Sequence, residues 1–238
     1  MSDLHYAATI GDVAALREIL DDGVSPNTLD QYGQTPLHQL CDSDDDAEAR
    51  ADCLHVLLEA GANVNAPDGF QRTPLHYAAG YLNAIVVGAL IKAGADVNVT
   101  PLCSERGANN RTPLYVACER SDVEPAKVLI RNGADVNARA SHGITPLDWA
   151  ISWTRRRLVP ILLRAGAALP AASSIFLQRP SACQTTNAYI QKVRAAGGIQ
   201  QYERNHLATL TATVKSKLGL PARPARLVVE CAFHVGDY

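Results

Sequence analysis

The tetrapeptide Thr-Pro-Leu-His stands at residues 35–38 and again at 73–76, and it recurs in varied form further along the chain. Thr112-Pro113-Leu114-Tyr115 and Thr145-Pro146-Leu147-Asp148 vary it once each, and Ser2-Asp3-Leu4-His5 is a degenerate copy. The starts at 2, 35, 73, 112 and 145 are spaced by 33, 38, 39 and 33 residues, so the base period is 33. Such self-similarity constrains a fold strongly, because each unit must bury its faces against copies of itself. A second motif runs in phase: Gly23, Gly94, Gly133 and Gly166 each follow a start by 21 residues. Gly61 follows Thr35 by 26, which places five extra residues in or near positions 42–50. The third repeat keeps the 21 and carries six extra residues within 99–110. Both insertions are expected in loops.

The residues of each unit predict two helices. Thr35 and Thr73 suit the capping position, and the proline that follows suits the first helical position, where its missing N–H costs nothing. Leucine and paired alanines (Ala7-Ala8, Ala78-Ala79) then face the neighbouring unit. Glycine after Leu57-Leu58, Leu129-Ile130 and Leu162-Leu163 ends a second helix in a left-handed cap. The terminal units depart from the pattern, as open solenoid ends must: the first lacks Thr-Pro, and the fifth ends Gly166-Ala167-Ala168-Leu169-Pro170.

Phased Thr-Pro-Leu-His copies followed by Gly-Ala-Asp-Val-Asn ends resemble the ankyrin repeat family over residues 1–169. The resemblance implies an all-α solenoid of five helix-turn-helix repeats with β-hairpin loops, at about 1–30, 31–67, 68–106, 107–139 and 140–169. It also implies a non-enzymatic module that binds a protein partner on its concave face, built from hairpin tips and inner helices. By register, the variable contact positions lie one, three and four residues before each Thr and seven and eight after it. They include Tyr32, Asp42, Phe70, Arg72, Tyr81, Arg111, Glu119, Arg120, His142 and Trp153. Only thirteen aromatics are present (eight Tyr, three Phe, two Trp), and four of them fall in this set. Aromatic and Arg side chains are the usual interface anchors.

Net charge is −2, but residues 1–169 carry 14 Lys+Arg against 21 Asp+Glu, and residues 170–238 carry 8 against 3. An acidic body repels phosphate, so nucleic acid is not expected and a basic protein segment is slightly favoured as partner. Arg155-Arg156-Arg157 reads as a solvated turn. No stretch of roughly 18 apolar residues is present, and the opening Met-Ser-Asp-Leu-His shows no secretory pattern. Six cysteines without dense spacing fit free thiols, so a monomer in the cytoplasm or nucleus is expected.

Motifs that could carry chemistry fail at decisive positions. The acidic run from Asp42 to Glu48 begins like a calcium loop, but its sixth position is Ala47 rather than Gly and its twelfth is Cys53 rather than Glu. Ser43 before three acids is a candidate phosphorylation site. His38, Cys41, Cys53 and His55 lack zinc-finger spacing. Cys41 and Cys118 stand six residues after a motif Thr, where a small buried residue is needed, leaving Cys103 as the exposed thiol candidate. No nucleophile elbow, phosphate loop or zinc-protease motif is present. No catalytic residue, metal or cofactor is therefore expected, and a metal-dependent or thiol enzyme is the least favoured class.

After Pro170 the register stops. Helical spacing of apolar residues predicts helices over 187–196 and 199–218, within a basic extension covering residues 170–238. The simplest role is a helical cap on the last repeat. The alternative is a substrate-recognition adaptor of a cullin-type ubiquitin ligase, since His206-Leu207 to Val214 followed by Leu220-Pro221-Ala222-Arg223-Pro224 resembles a SOCS-type box. Thr211 stands where that box has Cys, and Arg223 interrupts its proline run.

Overall fold

A computed structural model of the chain describes residues 3–42, 47–81, 84–101, 110–171 and 184–218. The chain divides into two compact units, Met1–Ala150 and Ile151–Tyr238. In the first, helix pairs follow the repeats: α1 (Asp3–Ile10) and α2 (Val13–Asp21), α3 (Pro36–Cys41) and α4 (Ala47–Glu59), α5 (Pro74–Gly80) and α6 (Ala84–Lys92), α7 (Pro113–Arg120) and α8 (Val123–Arg131). A fifth inner helix, α9 (Pro146–Ser152), follows a short 3₁₀ turn at Ser141–Gly143. Inner helices α1, α3, α5 and α7 stack on one another, and so do outer helices α2, α4, α6 and α8.

The repeat period is visible in the core as columns. Leu4, Leu37, Leu75, Leu114 and Leu147, each two residues after a motif start, are fully buried. So are Leu57, Leu90 and Leu129 on the outer helices. Burying each leucine contributes about 2 kcal/mol. Ala8, Cys41, Ala79 and Cys118 fill the small-residue column six after the start, which explains the two cysteines as core residues. Burial pushes both thiols up, Cys118 to about 12, and suppresses the nucleophilic thiolate.

Two expectations need correction. The five-residue insertion does not stay in a loop: α4 has 13 residues where α2, α6 and α8 have nine. Ala47-Glu48-Ala49-Arg50-Ala51 is a run of strong helix formers, so the added residues extend the helix. The hairpins, expected as β, contain no strand among the described residues. Each described tip is closed by two backbone bonds, such as Asp30 N–H to the Gln34 carbonyl (2.9 Å) with Gly33 N–H to the Asp30 carbonyl (3.0 Å), and Asp68 N–H to the Arg72 carbonyl (2.8 Å) with Gln71 N–H to the Asp68 carbonyl (2.9 Å), and its arms are too short for a ladder. Adjacent tips touch through backbone: Gly69 N–H donates to the Tyr32 carbonyl at 2.9 Å. A Cβ on Gly69 would stand 2.6 Å from that oxygen, so the approach requires glycine.

Polar side chains join one repeat to the next. Thr35 N–H donates to His38 Nδ1 (3.1 Å), which leaves the ring proton on Nε2 to donate to the Arg72 carbonyl (3.1 Å). His76 repeats this between Thr73 (3.1 Å) and the Arg111 carbonyl (2.9 Å), and His5 Nε2 reaches the Gln34 carbonyl at 2.9 Å. Asp148 replaces histidine in the last copy and caps Thr145 N–H at 3.0 Å. On the loops after the outer helices, Asn27, Asn65 and Asn98 each donate to a glycine carbonyl of the following repeat at 3.0 Å. Each also accepts a backbone N–H from that repeat, at 2.7, 2.8 and 2.7 Å.

In the second unit, α10 (Leu158–Arg164), α11 (Gln184–Ala195) and α12 (Ile199–Leu218) follow. The last matches its expected bounds, while α11 begins three residues before the expected 187. α12 packs on both α10 and α11, burying Leu158, Leu162, Ile190 and Val193. Arg164 Nε donates to Glu203 Oε1 at 2.6 Å, and Tyr189 meets Tyr202 edge to face with centroids 5.4 Å apart. The tail thus covers α10 within the second unit. Ser43 and Asp44-Asp45-Asp46, Cys103 and the segment 219–238 lie outside the described residues.

Two outcomes follow from these contacts. Truncation after residue 169 exposes α10 and is expected to lower the thermal midpoint, measured by circular dichroism; an unchanged midpoint contradicts the capping role. The histidine bridges make stability pH-dependent. Burial holds His38 and His76 below the usual range, His76 at about 4 against 6.5, so the unfolded rings take up protons first as pH falls. Stability is therefore full above pH 6.5 and is lost toward pH 4. Urea midpoints should fall across that window, and less steeply in His76→Gln.

Candidate protein-binding face of the first unit

The hairpin tips are built to present side chains rigidly. At the first, Asp30 Oδ1 accepts the N–H groups of Tyr32 (2.8 Å) and Gln34 (2.9 Å). At the second, Asp68 Oδ1 accepts those of Phe70 and Arg72, both at 2.8 Å. Aspartate binding its own backbone two residues on is the physical basis of such turns. Tyr32 and Phe70 therefore occupy equivalent points of consecutive tips and remain 57% and 39% exposed.

A polar network runs beneath them. Asp68 Oδ2 accepts from Arg72 Nε (3.0 Å) and from the Tyr77 hydroxyl (2.7 Å), while Arg72 Nη2 reaches both groups. Tyr77 also accepts from Gln34 Nε2 (2.6 Å), whose Oε1 takes Gln39 Nε2 (2.6 Å). Burial pushes the Asp68 carboxyl up, but hydrogen bonds from Tyr77, Arg72 and Phe70 N–H, with the Arg72 charge, outweigh it and hold it low. The guanidinium of Arg72 lies over the Tyr77 ring (4.6 Å) and the Phe70 ring (5.0 Å), which fixes its plane.

The other expected positions fall into separate places. Tyr81 caps α5, and its hydrogen bond to the Asp42 carboxylate, with burial, raises its phenol. Arg120 lies over the Tyr81 ring at 5.6 Å. Arg111 Nη1 binds both oxygens of Glu119, at 3.0 and 2.8 Å, and the guanidinium lies over Tyr115. His142 is exposed at the third described tip in a left-handed backbone conformation (φ 63°). Trp153 is exposed in the second unit. His38 has both ring nitrogens committed, and His55 is exposed beside Glu59, so the His38, Cys41, Cys53, His55 set forms no metal site. No group of three or more ligating side chains is placed for a metal ion among the described residues.

Sequence reading missed Tyr6, Ile10, Asp68, Tyr77 and Arg50, whereas Gln34 falls at the register position one residue before Thr35. Tyr6 and Ile10 on α1 are 60% and 54% exposed. Ile10 is eight residues after the degenerate start at Ser2, so the same register would have found it had it been applied to the first repeat. Gln34, Asp68 and Tyr77 form the support beneath the tips. Arg50 is a buried arginine, donating to the carbonyls of Leu40 (2.5 Å) and Thr9 (3.1 Å) near the ends of α3 and α1. Only its place in the insertion hinted at it.

A family model described as ankyrin repeats in three copies matches residues 4–101 and 99–171. The chain belongs to the ankyrin-repeat family. Ankyrin repeats mark it as a protein–protein interaction module. It is 28% identical over 166 residues to the human transient receptor potential cation channel subfamily A member 1, covering 68% of this chain and 14% of the channel. It is 29% identical to the mouse B-cell lymphoma 3 protein homolog (69% of this chain, 35% of that protein). Dog inversin is 30% identical, over 68% of this chain and 14% of inversin. The chain thus spans about a third or less of these relatives. No helix among the described residues is long and apolar enough to cross a membrane.

Asp68 meets five donor groups from a buried site, so Asp68→Ala should cost about 3 kcal/mol or more in urea unfolding. A loss under 1 kcal/mol, about the value of an exposed ion pair, contradicts that role.

Proposed function

We propose that this ankyrin domain is a non-enzymatic scaffold that binds a protein segment along the face formed by the tips and inner helices of its first unit. The observation that carries the reading is the pair Tyr32 and Phe70. Two exposed aromatics stand at equivalent points of neighbouring tips, on backbones tied together at 2.9 Å and locked by Asp30 and Asp68. Rigid aromatic anchors lose little entropy on binding, which favours affinity. Tyr6 and Ile10 add apolar surface, and Arg72, Arg111, Glu119, Arg120 and Asp42 supply polar register.

The expectation of a basic partner rested on overall charge and on the acidic run, of which Asp42 is engaged by Tyr81. The adaptor alternative depends on residues 220–224, outside the described set, and Thr211 turns its hydroxyl onto the Leu207 carbonyl of its own helix at 2.8 Å. Three free, buried cysteines (Cys41, Cys53, Cys118) accord with a monomer working in cytoplasm or nucleus.

Affinity capture from native extract with quantitative mass spectrometry tests the reading, comparing the intact chain with Tyr32→Ala/Phe70→Ala. The double variant should keep its circular dichroism spectrum and lose a defined partner set at least tenfold. Partners that persist place recognition elsewhere, and a parallel Trp153→Ala variant reports on the second unit.

A further inference from the structure

The binding face mixes charges, three arginines (Arg72, Arg111, Arg120) with four carboxylates (Asp30, Asp42, Asp68, Glu119). Formal charge is close to balanced, so it does not choose the partner. Unused hydrogen-bonding capacity does. Asp30 accepts two backbone N–H groups on Oδ1 and Gln39 Nε2 on Oδ2 (3.2 Å). Asp68 accepts on both oxygens. Both Glu119 oxygens take Arg111, and Asp42 takes Tyr81. Every carboxylate is thus already an acceptor within the protein.

The arginines differ. Arg72 spends Nε and Nη2 on Asp68 and Tyr77, and its Nη1 has no partner among the described residues while the side chain stays 41% exposed. Arg120 is exposed, with its guanidinium over Tyr81 and no hydrogen-bond or ion-pair partner among the described residues. A guanidinium carries five N–H donors in a fixed fork that matches a carboxylate. Stacking holds both forks: Arg72 between Phe70 and Tyr77, Arg120 on Tyr81. Both guanidiniums act electrostatically on the Tyr81 hydroxyl, so they flank one stretch of the face.

We infer that the partner segment is acidic, with carboxylates docking on the outer edges of Arg72 and Arg120 while its apolar groups lie against Phe70 and Tyr32. This rests on the binding-face reading above and reverses the preference that overall charge suggests. Donor surplus at two pre-oriented guanidiniums is local, whereas the acidic excess of residues 1–169 is spread over the whole solenoid. Charge-assisted, bidentate bonds at such sites are the strong class.

Selection of a random-peptide display library on the purified full chain tests it. Enriched peptides should carry Asp or Glu beside an apolar or aromatic residue. Their affinity, measured by fluorescence polarisation, should fall about tenfold in Arg120→Gln, the loss of one charge-assisted interaction. Arg120 is exposed and makes no hydrogen bond or ion pair among the described residues beyond its stacking on Tyr81, so that variant folds. Arg72→Lys keeps the charge near Asp68 but loses the fork, and should also weaken binding. Enriched peptides that are neutral or basic, or that bind Arg120→Gln unchanged, overturn the acidic assignment. If they still lose affinity in Tyr32→Ala/Phe70→Ala, the binding-face reading stands. No enrichment, or peptides indifferent to both sets of variants, removes both.

Discussion

The stack depends on a buried imidazole that holds two repeats at once. In His38 and His76 the ring takes the N–H of its own capping threonine on Nδ1 and gives its Nε2 proton to a backbone carbonyl of the next repeat, Arg72 or Arg111. That division fixes the tautomer and requires a neutral ring, which burial enforces. A leucine column could hold the helices together without specifying where the next tip sits. The histidine, with the asparagine bridges on the outer loops, sets the register between neighbours.

Fixed tips are what make the face usable. Arg72 and Arg111, whose carbonyls receive the histidines, are also the residues whose side chains stand on the face. The bond that joins the repeats therefore positions the groups proposed to meet a partner. Asp30 and Asp68 do the same for Tyr32 and Phe70, one carboxylate oxygen holding two successive backbone amides. Order present before binding need not be created during it.

Period, helix pairing, buried leucine and small-residue columns and the bounds of α12 were all legible in sequence, because each is set by local chemistry repeated in register. The register also located Tyr32, Phe70 and Arg72. It could not show that Arg111 is neutralised by Glu119 while Arg120 is not, since that follows from which side chains meet across a turn. Arg50 and the longer α4 were missed for a related reason. An insertion in a repeat reads as a loop until helix formers and a buried arginine give it tertiary support.

Hydrogen–deuterium exchange of the full chain, with and without a captured partner, tests the central claim most directly. The account requires protection at residues 30–34, 68–72 and 77–81, the tips and inner helix that carry the exposed aromatics and Arg72. Protection confined to residues 184–218, with those segments unchanged, would contradict it.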